Sequence, residues 1–162
     1  MKIICSFCRT DLGEKEPFDS DTVTHEVCDA CAGHFRKEWG GLDLGEYLER
    51  FDHPVLAVNR DGRVVAANRP MAEMLGKSER EIVGLRRGEA LECVYASRPE
   101  GCGKTVHCEI CTIRNTLMEV LETGEPREQV PAYVDRGAQR VALTISAYER
   151  DGIALLAIDE SR

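Results

Sequence analysis

The chain has 162 residues and a formal net charge of −8, enough for one domain plus a small appendage and too acidic for charge-driven binding to nucleic acid or anionic membranes. Hydrophobic residues at 43% and charged residues at 31% are ordinary for a soluble globular protein, and no apolar run approaches the roughly 20 residues that span a bilayer. The eight cysteines fall into groups built on CxxC pairs, and the start MKIICSFCRT lacks the apolar stretch of a secretory signal, so reduced metal-ligating thiols in the cytoplasm are expected and a disulfide scaffold is not.

Residues 1–38 read as a small module held by metal. Cys5-Ser6-Phe7-Cys8 and Cys28-Asp29-Ala30-Cys31 are two CxxC knuckles separated by nineteen residues. Each knuckle turns two sulfurs toward one point, and two knuckles complete the closed tetrahedron that structural zinc prefers. Iron in a rubredoxin-like site is the alternative, since both metals accept four sulfurs. The insert RTDLGEKEPFDSDTVTHEV is polar and carries Gly13 and Pro17, so it supplies no core, and the metal Cys5, Cys8, Cys28 and Cys31 would bind replaces the missing apolar stability. His25 and His34 lie near the second knuckle, but four cysteines already fill the tetrahedron and both histidines read as surface or packing residues. Residues 1–50 hold eleven acidic side chains against six basic ones, which favours protein contact or a stabilising role over DNA reading. Through ICSFCRTDLGEKEP and THEVCDAC, residues 1–35 resemble the zinc-ribbon-like leader found in front of bacterial sensor and response-regulator proteins. That resemblance implies a regulatory setting.

Residues 39–51 read as linker and flanking helix. Phe35 to Gly41 carries Trp39 and ends in Gly40-Gly41, a plausible hinge. Asp43 is placed to cap LGEYLERF, whose Leu44, Tyr47, Leu48 and Phe51 share one apolar face that must dock on the following sheet or on a second copy. Val55 to Val58 and Val64 to Ala67 predict strands around an Asp61-Gly62 turn. Asn68 opens RPMAEMLG, where Met71, Met74 and Leu75 are core at helical spacing, and Ser78-Glu79-Arg80-Glu81 is a capping box for a second short helix.

From Cys93 to Cys111 four cysteines fall within nineteen residues, with eight, five and two residues between them. Four thiols this close, with Gly101 and Gly103 to let the backbone turn, fit a soft metal or an iron-sulfur cluster better than core packing; thiol-disulfide chemistry is the other reading. Gly103-Lys104-Thr105 ends like a phosphate-binding loop, but Arg98 stands where that motif needs its first glycine, and Cys108-Glu109-Ile110-Cys111 is followed by Thr112 where haem attachment needs His. The spacing of Ile110, Ile113, Leu117, Val120 and Leu121 predicts a helix from Glu109 to its C-cap at Gly124, opened by Cys108 and Cys111. A helix start offers free N–H groups that favour thiolate. His107 is a candidate outer or substitute ligand, and His53, before Pro54, reads as structural. Three strands follow: Arg127 to Val134, Arg140 to Tyr148 and Ile153 to Asp159. Val141, Leu143, Ile145 and Ala147 alternate strictly, and Ile153 to Ile158 is apolar enough for the sheet centre.

Two strands, short helices, a long helix and three strands make an α+β order, and FDHPVLAVNRDGRVVAANRPMAEMLGKSEREIVG resembles the start of a PAS domain, with its Asp-Gly hairpin, Asn68 and leucine-glycine helix ending. The resemblance covers about residues 44–160 and delimits a PAS-like sensor domain at 52–162. It implies a five-stranded antiparallel sheet of order 2-1-5-4-3, with helices on one face around a ligand or sensing pocket. Such domains bind small molecules, cofactors or one another and signal through flanking helices. The flavin-type cysteine motif of blue-light sensors is lacking, and the long helix carries no histidine for haem. The inserted loop resembles that of a cysteine-rich PAS subgroup in bacterial sensor kinases and regulators, through Cys93, Gly101-Cys102-Gly103, Cys108 and Cys111.

The expected protein is therefore a non-enzymatic signalling protein, a zinc ribbon joined to a PAS-like domain that senses redox, oxygen or a small ligand. Its four-cysteine site would hold an iron-sulfur cluster or a second zinc. No kinase, cyclase or helix-turn-helix segment follows the last strand, so output is expected to pass to a protein such as a sensor kinase or regulator, with a homodimer possible. A DNA-binding zinc-ribbon regulator and a thiol-based redox protein are the alternative classes.

Overall fold

A computed structural model of the chain describes residues 1–5, 8–18, 23–38, 43–102 and 105–161. Trp39, the Gly40-Gly41 hinge and Gly103 lie outside the described residues. Strands β1 (Lys2–Cys5), β2 (Asp11–Glu14) and β3 (Val23–Glu26) form a sheet of order β2-β1-β3, β1 running antiparallel to β2 and parallel to β3. Helix α1 (Asp29–Glu38) follows. The polar insert thus supplies two strands but little core: every residue of β2 is exposed.

The larger sheet contains β4 (Val55–Val58), β5 (Val64–Ala67), β6 (Arg127–Arg136), β7 (Gln139–Arg150) and β8 (Ile153–Ser161) in the order β5-β4-β8-β7-β6. Every neighbouring pair is antiparallel. Counted from its first strand this is 2-1-5-4-3, as the resemblance implies. Between β5 and β6 come α3 (Arg69–Leu75), α4 (Glu79–Ile82), α5 (Arg87–Ala90), 3-10 turns at Val94–Ser97 and Val106–Ile110, and α6 (Thr112–Thr123). Ser78 and Glu81 form the expected capping box, and Gly124, at φ 73°, ends α6.

Strand β8 alternates between two cores. Ala154, Leu156 and Ile158 join Met71, Ile82, Leu117 and Val120 on the face covered by the later helices. Ile153, Leu155 and Ala157 point to the opposite face, where α2 (Leu44–Leu48) docks through Leu44 and Leu48. The flanking helix therefore packs on the sheet. Leu48, Leu56, Met71, Ile82 and Leu156 are wholly buried, each contributing about 1.5–3 kcal/mol by its removal from water. Asn68, 1% exposed, joins the two layers. Its Oδ1 accepts from the N–H groups of Val55 at 3.0 Å and Met71 at 3.1 Å, while Nδ2 donates to the carbonyls of Leu48 at 3.2 Å and His53 at 2.8 Å. One amide thus caps α3 and ties the end of α2 to the start of β4.

Two local expectations change. Helix α6 begins at Thr112 and not at Glu109, because Cys111 is extended (φ −68°, ψ 113°) and the preceding residues make their own tighter turn. Ile110 matched the helical spacing, yet it is 70% exposed. Helix α1, which carries the second knuckle, had no counterpart in the sequence reading. Among the described residues, no helix is long and apolar enough to cross a membrane.

Candidate functional site

The first cysteine group forms where β1 ends and α1 begins. Cys5 closes β1 and is fully buried, Cys8 lies exposed in the following turn, and Cys28 and Cys31 flank the first residues of α1. The four sulfur atoms all lie within 4.8 Å of one another, with Cys8 Sγ 3.6 Å from Cys28 Sγ. Tetrahedral zinc with Zn–S bonds of about 2.3 Å separates its sulfurs by roughly 3.8 Å, so this group can hold a single metal ion. Backbone N–H groups are already aimed at the sulfurs: Cys28 N–H donates to Cys5 Sγ at 3.4 Å and Cys31 N–H to Cys28 Sγ at 3.5 Å. Hydrogen bonds from Thr10, whose hydroxyl lies 3.1 Å from Cys8 Sγ, pull the Cys8 thiol down to about 6. Burial and its neighbouring cysteines push Cys31 up to about 12.

The second group lines a cavity of about 250 Å³ between α5, the cysteine loop, the start of α6 and β6. Cys93 precedes a 3-10 turn, Cys108 lies within the next, and Cys111 sits at the cap of α6. Cys102 and Cys108 are buried, and Cys93 and Cys111 pack half-buried against the helix-side core. These four do not form a set within 4.8 Å; among the described residues the N-terminal cysteines alone do. Arranged in this way, the cavity sulfurs surround a space and do not close on one point.

Burial pushes the Cys93 and Cys102 thiols above the ordinary value of 9.0. Opposing it, the Tyr95 and Ala96 N–H groups hydrogen-bond Cys93, while the Arg87 charge and the Gly88 N–H act on Cys102. Thr105 Oγ1 lies 3.2 Å from Cys108 Sγ. Hydrogen bonds to sulfur are the means by which a protein tunes a thiolate-held centre. Gly88 makes the packing possible: a Cβ there would stand 2.6 Å from Cys102 Sγ. At the rim, His107 stacks on Tyr95 with ring centroids 3.8 Å apart, and Arg140 pairs with Asp135 at 2.8 and 3.2 Å. That pair holds the Asp135 carboxyl below its usual range.

His34 places Nε2 2.8 Å from Asp151, His53 contacts Asp52 at 3.2 Å, and the side chain of His25 lies outside the described ones. The sequence reading passed over Thr10, Arg87 and Gly88. Thr10 carried a weak signal, a hydroxyl two residues after a cysteine; the other two gain meaning only through the fold.

No family model matches the chain, and no curated protein sequence matches it. Among solved structures, the photoactive yellow protein domain from the sensor histidine kinase Ppr of Rhodospirillum centenum aligns over 77% of this chain and 99% of its own, with 12% identity and a TM-score of 0.50. A LOV protein of Rhodobacter sphaeroides aligns over 68% of this chain with 16% identity and a TM-score of 0.47, this chain spanning 60% of that protein's length. A PAS domain from Colwellia psychrerythraea aligns over 70% of this chain and 89% of its own, with 11% identity and a TM-score of 0.47. The strand order β5-β4-β8-β7-β6, with its helices inserted between β5 and β6, and the alignment over the full photoactive yellow protein domain establish that the five-stranded part of this chain has the PAS fold.

Proposed function

We propose that this chain is a non-enzymatic, cytoplasmic signalling protein whose PAS-fold unit reads redox state or oxygen through an inorganic centre held by Cys93, Cys102, Cys108 and Cys111. The observation that carries this reading is the convergence of all four cysteines on one cavity of about 250 Å³. Their spread favours an iron-sulfur cluster, which distributes its ligands over several irons, over a second zinc, which would need four sulfurs around one point. Such a centre supplies electron transfer or lability to oxygen when bound. The N-terminal cysteines serve as a structural zinc site. The grouping of the eight cysteines around CxxC pairs fits a reducing compartment.

Helix α6 packs on β6, β7 and β8, and the opposite face of β8 carries α2 and, at its edge, Cys31. A change at the start of α6 is passed through the sheet to α2 and the N-terminal module, and from there to a protein partner such as a sensor kinase or regulator. The origin of the photoactive yellow protein domain in a sensor histidine kinase supports this setting. The test is anaerobic purification with iron, acid-labile sulfide and zinc analysis and a visible spectrum. Expected are one zinc per chain and a brown centre, lost in Cys93→Ser and Cys111→Ser with the zinc retained. Colourless protein with two zinc ions reduces the cavity site to a brace, and cavity cysteines that hold no metal overturn the reading.

A further inference from the structure

Among the described residues Arg87 is the single buried ion, 7% exposed. Its backbone N–H donates to Gly62 O at 3.0 Å, and its guanidinium lies over Gly62 so closely that a Cβ there would collide with Nη1. It lines the four-cysteine cavity one residue before Gly88, which admits Cys102. No carboxylate among the described residues lies within 4.0 Å of this guanidinium. Arg140 lines the same cavity but is neutralised by Asp135. A buried cation without an anion is costly, and protonated thiols are neutral and do not relieve the cost. A dicationic cluster ligated by four thiolates would carry net negative charge, which is what this wall lacks.

We propose that Arg87 is the counter-charge of an anionic, four-thiolate inorganic centre in this cavity, and that it sets how firmly the centre is held and how readily it is reduced. The inference rests on the functional reading above. It adds a positioning residue that touches no reacting atom and acts through its field. On reduction one electron enters the centre from an external reductant, dithionite in the test, and the centre becomes more negative. The guanidinium therefore stabilises the reduced form more than the oxidised form. Without it the potential falls.

The experiment uses the full chain reconstituted anaerobically with ferrous iron and sulfide, as wild type, Arg87→Met, Arg87→Lys and Arg69→Met. Arg87→Met is expected to shift the reduction equilibrium at least tenfold toward the oxidised form, 59 mV for a one-electron couple, and to release iron to a chelator at least tenfold faster. Arg87→Lys should recover most of both effects, and Arg69→Met, at an exposed arginine on α3 away from the cavity, should stay within twofold of wild type. The metal-free proteins are melted in parallel. A counter-charge role predicts that metal-free Arg87→Met is as stable as wild type or more so, since it removes an unpaired buried ion. A merely structural arginine predicts the opposite. A wild-type centre unchanged in potential and retention by Arg87→Met overturns the inference and leaves the functional reading standing. Failure of the wild type to hold any centre at these cysteines overturns the functional reading first.

Discussion

The two cysteine groups use the same ligand type in opposite ways. At the N-terminal site the sulfurs stand within 4.8 Å of one another on a frame with almost no core, and one of them, Cys8, is exposed. In the PAS-fold unit the sulfurs line a cavity beside an apolar core, which Cys93 and Cys111 border while Cys102 and Cys108 stand outside it. Closure without a core would make a bound metal a part of the fold. A core without closure would leave the proposed occupant free to come, go or change state while the fold persists, as the proposed sensing role requires.

The largest expected effect follows from that contrast. Chelation of the N-terminal metal, or Cys5→Ala, should abolish amide protection across β1, β3 and α1, because structural zinc contributes on the order of 10–16 kcal/mol to modules that cannot fold alone. Protection of β4 to β8 should survive the same treatment. Hydrogen exchange followed by mass spectrometry reads both regions in one sample. Loss of protection in both would show that the module and the sheet unfold together, and the contrast would be wrong.

A smaller effect separates the sites from the other side. Gly88 has no positive φ, so its role is clearance: an added Cβ meets Cys102 Sγ at 2.6 Å and Cys102 Cβ at 3.1 Å. Gly88→Ala should displace Cys102, empty the cavity of its centre and lower stability by about 1–3 kcal/mol through overpacking. The N-terminal metal should remain. Metal stoichiometry with a thermal melt measures both, and a full metal complement with an unshifted melt would mean that Cys102 is not held where the fold places it.

Sequence reasoning reached the sheet because its signals are local. The alternation of Val141, Leu143, Ile145 and Ala147, the Asp61-Gly62 turn and the Gly124 cap each act over a few residues and survive in the structure. The start of α6 was misplaced because Ile110 kept the helical period while the backbone at Cys111 did not. Helix α1 was missed because the residues around Cys28 and Cys31 read as ligands, and a charged, half-polar run such as DACAGHFRKE shows no strong apolar stripe. The meaning of Arg87 and Gly88 depends on residue 87 meeting 62 and residue 88 meeting 102 in space. Cysteine spacing likewise told the two groups apart in pattern but could not tell closure around a point from a ring around a cavity.

The finest distinction between the groups is in the thiols themselves. In metal-free protein at pH 7, Cys8, pulled down to about 6, is mostly thiolate, whereas burial holds Cys93 and Cys102 above 9.0 and keeps them protonated. Since the thiolate is the nucleophile, alkylation of Cys8 should be nearly independent of pH above 7 and fall about tenfold per unit well below pH 6. Rates at Cys93 and Cys102 should instead still climb with pH between 7 and 9. The low pKa of Cys8 also weakens its intrinsic nucleophilicity, so its advantage at pH 7 is smaller than the thiolate fractions alone imply. Thr10→Val removes the hydroxyl that contributes most to the shift and should move the Cys8 profile to higher pH, leaving Cys93 and Cys102 unchanged. Peptide mapping after timed iodoacetamide treatment resolves each cysteine. Equal profiles at Cys8 and Cys102 would remove the electrostatic difference between the sites.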